Sequence, residues 1–137
     1  SHASPYYPFG YGLTYSAVRY GAPVCDVPEL SLQDTEAGAV FRIRAEVENT
    51  GDRDAEEVVQ LYVRDPVASV CRPLRELRGF CRVALPAGGH KTVEFAVGKP
   101  ALGYYRKTGD FILERGDYEL YIGGDCLTEN RVPVRIV

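Results

Sequence analysis

The sequence predicts an all-β protein, an antiparallel sandwich or barrel built from short strands. Apolar and polar residues alternate in several stretches, and this period of two places successive side chains on opposite faces of a strand. Turn-forming Gly, Pro, Asn and Asp residues separate these stretches at fairly even spacing. No segment with helical periodicity extends over three turns. Together these three patterns are typical of two-layer β proteins.

The clearest alternation lies in residues 40–63, around which the other predicted strands are arranged. Between its two apolar runs, Asn49-Thr50-Gly51-Asp52 has the composition of a tight turn. The pattern therefore predicts a hairpin-like pair of half-buried strands. The inward positions of this pair are Phe41, Ile43, Ala45, Val47, Val59, Leu61 and Val63.

The stretch before this pair divides into an aromatic arm and two short strands. Residues 4–15 are rich in Tyr, Pro and Gly, which excludes a regular helix. A first strand is predicted at residues 13–20. A second short strand or edge segment is predicted at residues 24–32, because proline is tolerated at sheet edges. Residues 35–38 are predicted to form a turn.

The second half of the chain continues the alternation. A loop is predicted at residues 67–77, and Pro86-Ala87-Gly88-Gly89 is a strong turn signal. The domain organisation is predicted as an arm, residues 1–13, entering from an upstream domain, and a sandwich, residues 14–137. The predicted strands are residues 77–85, 90–97, 118–122 and 131–137, with short candidates at 102–106 and 111–114.

Tyr118 follows the turn Arg115-Gly116-Asp117 and begins a late strand. This is the placement of the tyrosine corner in immunoglobulin-type sandwiches, where the hydroxyl bonds backbone a few residues upstream. A plain core tyrosine is the alternative. The residues therefore predict an antiparallel β-sandwich or barrel, and Tyr118 favours a sandwich of the immunoglobulin type.

Composition excludes several classes of function. A chain of 137 residues is the usual size of one domain. The net charge of −3 gives no electrostatic footprint for a nucleic acid. Apolar runs are only a few residues long, so no membrane span is expected.

The cysteines are widely and irregularly spaced, without a CxxC motif. They allow two disulfides in three connectivities, but free thiols are favoured because a domain of this size needs no covalent staples. Free thiols favour a reducing, cytoplasmic compartment, while secretion stays open. Neither His2 nor His90 pairs with a cysteine at ligand spacing, so no metal or cofactor is expected. The four cysteines are Cys25, Cys71, Cys81 and Cys126.

Candidate catalytic groups are few. Asp52, Asp54, Glu56 and Glu57 form an acidic cluster that could hold calcium or supply a carboxylate pair. The spacing does not fit an EF-hand, and a solvated turn is the preferred interpretation. Nucleophilic catalysis would need His90 as its base, and no GxSxG motif supports it. No catalytic residue is therefore predicted.

Ten tyrosines and no tryptophan suggest two aromatic surfaces. Tyr104 and Tyr105 could stack on sugars, although neighbouring residues of a strand face opposite ways. The aromatic arm is predicted to pack on a neighbouring domain, because aromatic residues are enriched in interfaces. The predicted interdomain residues are Tyr7, Pro8, Phe9 and Tyr11.

Three long motifs carry a family resemblance. They are YPFGYGLTY, VENTGDRDAEEVVQLYVRDP and RPLRELRGFCRVAL, in this order along the chain. They resemble the (F/Y)PFGxGLSY, VxNTGxxxGxEVxQLYVxD and RPxKELKGFxKVxL stretches of family 3 glycoside hydrolases, the β-glucosidase and β-xylosidase group. The resemblance extends over nearly the whole chain from Tyr7.

The resemblance implies the C-terminal fibronectin type III-like domain of a retaining β-glycosidase. The predicted fold is then an immunoglobulin- or fibronectin type III-like antiparallel β-sandwich of about seven to eight strands in a Greek key. In that family the nucleophilic Asp lies on a barrel domain and the acid/base Glu on an α/β domain, so neither maps onto this chain. The implied role is accessory: the domain would pack on the catalytic domains, and the loop at residues 67–72 could shape the edge of their cleft. The alternatives are a carbohydrate-binding module, with weak sugar contact, and an adhesion or partner-binding sandwich.

Overall fold

A computed structural model describes residues 17–65 and 75–137 as a β-sandwich. The described part contains eleven strands and two short helices, and five of the strands are only two or three residues long. The strands are β1 Val18–Tyr20, β2 Val24–Cys25, β3 Glu29–Leu30, β4 Phe41–Asn49, β5 Ala55–Arg64, β6 Glu76–Leu85, β7 His90–Val97, β8 Tyr104–Tyr105, β9 Phe111–Ile112, β10 Gly116–Gly123 and β11 Arg131–Ile136. The helices are α1 Leu32–Glu36 and α2 Lys99–Leu102.

Two sheets face each other, and we name each after its central long strand. In the β4 sheet, β7 pairs along one edge of β4, while β1 and β2 share the other edge. The β5 sheet has the order β3-β11-β10-β5-β6. All pairs are antiparallel except β3 with β11. This two-layer arrangement confirms the predicted all-β sandwich.

The core lies between the two sheets, and the alternation of the sequence selects its members. The predicted inward residues of β4 and β5 are at most 4% exposed. In the predicted later strands, the same alternation places Leu85, Val93, Val97 and Val134 on one face of their strands, and all four are buried in the core. The buried faces of the sandwich were thus predicted from the period of two alone.

The predicted hairpin of β4 and β5 is wrong. β4 pairs with β1, β2 and β7, whereas β5 pairs with β10 and β6 in the opposite sheet. The connection after Asn49 therefore crosses from one sheet to the other. Both strands turn an apolar face to the core, but from opposite sides, and alternation does not distinguish this arrangement from a hairpin.

Two short helices replace predicted irregular segments. Residues 35 and 36 of the turn predicted at residues 35–38 belong to α1, whose first turn is capped by the Ser31 hydroxyl accepting from the Asp34 amide at 2.9 Å. Residues 99–102 form α2, with proline in its first turn, where the missing amide hydrogen costs nothing. Neither helix is long enough for helical periodicity to reveal it.

The second predicted strand, residues 24–32, divides into two pieces in different sheets. β2 adds to β4, and β3 runs parallel to β11. Of the first predicted strand, residues 18–20 form β1, Ala17 lies just before it, and residues 13–16 lie outside the described residues. The short candidates near residues 104 and 111 pair with each other as a separate two-stranded ribbon.

Candidate functional site

The outer face of the β4 sheet is a ladder of charges. Arg42, Arg44 and Glu46 are exposed there, and they alternate with the buried residues of the strand. Arg42 lies 3.5 Å from Glu94 on β7, in a surface ion pair. Such exposed, mutually paired charges are typical of a face turned to water.

The outer face of the β5 sheet is different, because it carries two buried aromatic rings. Tyr62 on β5 and Tyr121 on β10 are register partners, and they are 8% and 1% exposed. Both side chains point away from the core. The guanidinium of Arg75 lies 3.9 Å from the centroid of the Tyr121 ring, a cation–π arrangement. Tyr62, Tyr121 and Arg75 therefore form a second, smaller cluster on the outer face of the β5 sheet.

Arg75 also ties this cluster to the loop between β10 and β11. Its Nη1 donates to the carbonyl oxygens of Cys126, at 3.1 Å, and Thr128, at 2.5 Å. Its Nη2 lies 3.4 Å from the carboxylate of Glu129. One planar guanidinium thus stacks on a ring and holds three loop residues, which a flexible ammonium could not do.

Three large apolar side chains remain exposed around this cluster. Leu77 and Phe80 on β6 are 52% and 61% exposed, and Leu127 in the tethered loop is 78% exposed. Leu77 is the register partner of Tyr62, and Phe80 that of Gln60. We call Leu77, Phe80 and Leu127 the outer patch.

Hydrogen bonds from Gln60 fix the loop beside the outer patch. Its Nε2 donates to the carbonyl oxygen of Gly124 at 3.1 Å, and its Oε1 accepts from the Tyr62 hydroxyl at 2.5 Å. Burial raises the pKa of Tyr62, and the nearby Cys126 and Asp125 add to this effect. The loop between β10 and β11 therefore lies beside Tyr62.

The charge next to the outer patch is basic. Arg82 is exposed on β6, two residues beyond Phe80 on the same face. Within residues 17–65 and 75–137 it makes no hydrogen bond or ion pair. By contrast, Arg64 on this face is held by Glu119 at 3.0 Å. Arg82 is therefore available to a carboxylate from outside these residues.

The predicted acidic cluster does not converge on a site. Asp54 accepts a hydrogen bond from the Ala87 amide at 3.1 Å, and Glu57 accepts from the Tyr20 hydroxyl at 2.6 Å. Asp52 and Glu56 are exposed. Among the described residues, no three His, Cys, Asp or Glu side chains are arranged to hold a metal ion.

The Tyr20 hydroxyl joins β1 of one sheet to β5 of the other. Burial of Tyr20, together with the hydrogen bond to Glu57 and the charge of that carboxylate, raises the pKa of the phenol strongly. Gly124 approaches the same carboxylate, and a β-carbon there would lie 2.9 Å from its Oε2. This arrangement joins the two sheets at one edge of the sandwich.

His90 and the cysteines have structural surroundings. His90 lies 3.3 Å from Glu46 in an exposed pair. Cys25, Cys81 and Cys126 are thiols, whereas Cys71 lies outside the described residues. Burial raises the pKa of Cys25 and Cys81, which keeps these two thiols protonated and unreactive.

The tyrosine corner is confirmed. Tyr118 is 1% exposed, and its hydroxyl donates to the carbonyl oxygen of Glu114 at 2.6 Å. The acceptor lies four residues upstream, as in immunoglobulin-type sandwiches.

Of the two predicted aromatic surfaces, the structure describes only that of Tyr104 and Tyr105. Tyr105 is 73% exposed and packs edge-on against Phe111, with ring centroids 4.9 Å apart, while Tyr104 is half-buried. The predicted interdomain residues, Tyr7, Pro8, Phe9 and Tyr11, lie outside the described residues, as does the loop at 67–72. The outer patch was missed. Phe80 breaks the simple alternation of β6 and could have indicated it, whereas Leu77 fits that alternation and faces outward because the register shifts between Leu61 and Tyr62.

Two sheets of this order, closed by a tyrosine corner, define a β-sandwich of the immunoglobulin and fibronectin type III class. The chain belongs to the fibronectin type III-like domain family, whose model matches residues 57–126. Within the described residues, no helix is long and apolar enough to cross a membrane.

The relatives are glycosidases of much greater length. The chain is 38% identical over 130 residues to a β-xylosidase of Formosa agariphila, covering 95% of this chain and 17% of that protein. It is 37% identical to thermostable β-glucosidase B of Acetivibrio thermocellus, covering 87% of this chain and 15% of that protein. The structure of a β-glucosidase from Erythrobacter marinus matches with a TM-score of 0.83 at 38% identity, over all of this chain and 18% of that one.

These matches confirm the resemblance to the fibronectin type III-like domain of family 3 glycoside hydrolases. The chain spans less than one fifth of each of these three relatives. It therefore corresponds to one domain of a much larger type of protein.

Proposed function

We propose that this chain is a non-catalytic accessory domain of a retaining β-glycosidase, with β-glucosidase as the activity of the whole protein. Its role is to pack on the catalytic domains and stabilise them. The observation that carries this proposal is that the match covers nearly all of the chain but only 15% to 18% of these glycosidases.

The described residues support an accessory role. The carboxylates of the predicted acidic cluster are either exposed or engaged in structural hydrogen bonds, and the exposed His90 lies 3.3 Å from Glu46. A glycosidase needs two carboxyl groups facing each other across a bound sugar, with one pKa raised by a walled cleft. The chemistry would therefore come from the catalytic domains, and this chain would contribute packing. The predicted interdomain arm at residues 7–11 belongs to the same proposal.

The proposal is tested with three proteins from the gene that encodes this sequence: the full-length product, a version ending before residue 17, and this chain alone. We expect the full-length protein to hydrolyse p-nitrophenyl β-glucoside and this chain alone to be inactive. The shortened protein should lose thermal stability, with a melting temperature several degrees lower, since it exposes surface that the sandwich covers. Hydrolysis by this chain alone, or a full-length protein inactive on β-glucosides and β-xylosides, would overturn the proposal.

A further inference from the structure

We infer that the outer patch, together with Arg82, is the surface by which this domain docks on the catalytic part of the same glycosidase. The surface it meets is apolar, with a carboxylate opposite Arg82. This inference rests on the proposed function and names the docking surface within it.

The two outer faces of the sandwich differ in their exposed apolar side chains. The β4 sheet exposes a ladder of paired charges, which a dry interface would have to strip of water at a large cost. The β5 sheet also carries ion pairs, such as Arg64–Glu119 and Arg135–Asp117. Beside them, however, it groups three of the six large exposed apolar side chains described, at Leu77, Phe80 and Leu127. Single exposed apolar residues are ordinary, but a group on one face marks an interaction site.

The outer patch is rigid before any partner binds. Leu77 and Phe80 lie on a strand of ten residues paired with β5. Leu127 lies on a loop that Arg75 fixes through Cys126 and Thr128, and Gln60 fixes through Gly124. Apolar side chains presented by an ordered surface lose little entropy on binding, which is a property of efficient interfaces.

A positive charge borders the outer patch. Arg82 extends the patch along β6, and it has no ion-pair partner within residues 17–65 and 75–137. Glu56 lies diagonally across the strand pair and is not bonded to it. Arginine beside exposed aliphatic and aromatic groups is the composition of an interface core, and its natural counterpart is a carboxylate. Charge complementarity thus selects a partner surface with an acidic group.

The decisive test compares exposed side chains on and off the outer patch. Phe80→Ser is matched with Tyr105→Ser, an exposed aromatic residue on the separate β8–β9 ribbon. Arg82→Glu is matched with Arg44→Glu, an exposed arginine on the outer face of the β4 sheet. All four variants are made both in this chain and in the full-length protein.

In this chain alone, the four variants should have melting temperatures within about 2 °C of the unchanged chain, because exposed side chains contribute little. In the full-length protein, Phe80→Ser and Arg82→Glu should lower the melting temperature by roughly 5 °C or more, whereas the two controls should not. Hydrogen exchange should add a second readout: the amides of residues 77–82 should exchange at least about tenfold more slowly in the full-length protein than in this chain.

The experiments distinguish a failure of the docking surface from a failure of the proposed function. A full-length protein in which Phe80→Ser behaves like Tyr105→Ser, with no added protection of residues 77–82, overturns the docking surface but leaves the proposed function standing. A full-length protein without glycosidase activity, in which the patch variants still lower the melting temperature, overturns the proposed function alone. A concentration-dependent dimer of this chain that Phe80→Ser abolishes assigns the outer patch to a second copy and overturns the named partner.

Discussion

Replacing Asn49 by alanine should be among the most damaging single changes in the described part of the chain. Asn49 is 2% exposed at the end of β4. Its Nδ2 donates to the carbonyl oxygens of Arg53, at 2.7 Å, and Leu85, at 3.0 Å, while its Oδ1 accepts from the Gly51 amide at 2.9 Å. The side chain thus joins two of the connections between the sheets, the one from β4 to β5 and the one from β6 to β7.

The expected cost follows from these three hydrogen bonds. Each contributes about 1 kcal/mol net, and the buried Leu85 carbonyl would be left without its partner. We therefore expect Asn49→Ala to reduce the free energy of unfolding by about 3 kcal/mol. Domains of this kind have about 5–15 kcal/mol in total, so the melting temperature should fall by about 10 °C.

Urea unfolding followed by circular dichroism measures this change, with tyrosine fluorescence as a second probe because the chain has no tryptophan. Thr50→Ala is the control: its hydroxyl donates one exposed bond to the Ala17 carbonyl at 2.6 Å, and its loss should cost under about 1 kcal/mol. Equal losses for the two variants would refute the reasoning.

Asn49→Asp adds a pH signature to this prediction. A carboxylate there would face the Arg53 and Leu85 carbonyl oxygens in a buried position, so the folded state should raise the pKa of the new carboxyl above its unfolded value of about 3.9. With a raised folded pKa, stability is greatest below the unfolded pKa and is lost as pH rises through the folded pKa. A urea midpoint that rises between about pH 4 and pH 7, relative to the unchanged chain, would contradict this.

Two further changes probe hydroxyl groups. Tyr118→Phe removes the bond of the tyrosine corner to its backbone acceptor and should cost about 1–2 kcal/mol in urea unfolding with an unchanged m-value; a loss below about 0.5 kcal/mol would count against the corner as a stabilising element. Because the pKa of Tyr20 is raised in the folded state, stability should fall as pH rises above the unfolded tyrosine value of about 10. Tyr20→Phe should therefore flatten the alkaline limb of a stability–pH curve, and an identical limb in both proteins would refute this role.

The inward faces of the strands could be predicted from the sequence because strand periodicity is local. Phe41 and Val47 lie an even number of positions apart, and so do Val93 and Val97. Each pair therefore shares a face of its strand, whatever that strand pairs with. The tyrosine corner was predictable for a similar reason, since Tyr118 and its acceptor are only four residues apart.

The pairing of strands could not be predicted in this way. A turn rich in Asn, Gly and Asp suits a hairpin, yet the same residues here carry the chain from β4 to the other sheet. What decides between the two is Asn49, whose side chain reaches Leu85, 36 residues away in sequence. Alternation shows which face of a strand is buried. Which strands become its neighbours depends on long-range bonds such as this one.

The outer patch depends on an even less local relation. Alternation places Tyr121 on the water-facing side of β10, where an exposed ring would be expected. Its burial comes from Arg75, which lies 46 positions earlier and reaches it across the sheet. Long arginine side chains cover apolar surface in ways that no periodicity records.

The position of β6 has a consequence for the domain when it is separated from any partner. Among the described strands, β6 pairs only with β5, so no strand within residues 17–65 and 75–137 pairs with its other edge. Such an edge is a template for aggregation, yet the register shifts between Leu61 and Tyr62, and Arg78 and Arg82 interrupt the apolar run. A bulge and charges are the usual protection of exposed edges. If proteolysis released this domain as a fragment, the bulge and the arginines of β6 would therefore protect it against edge-to-edge polymerisation.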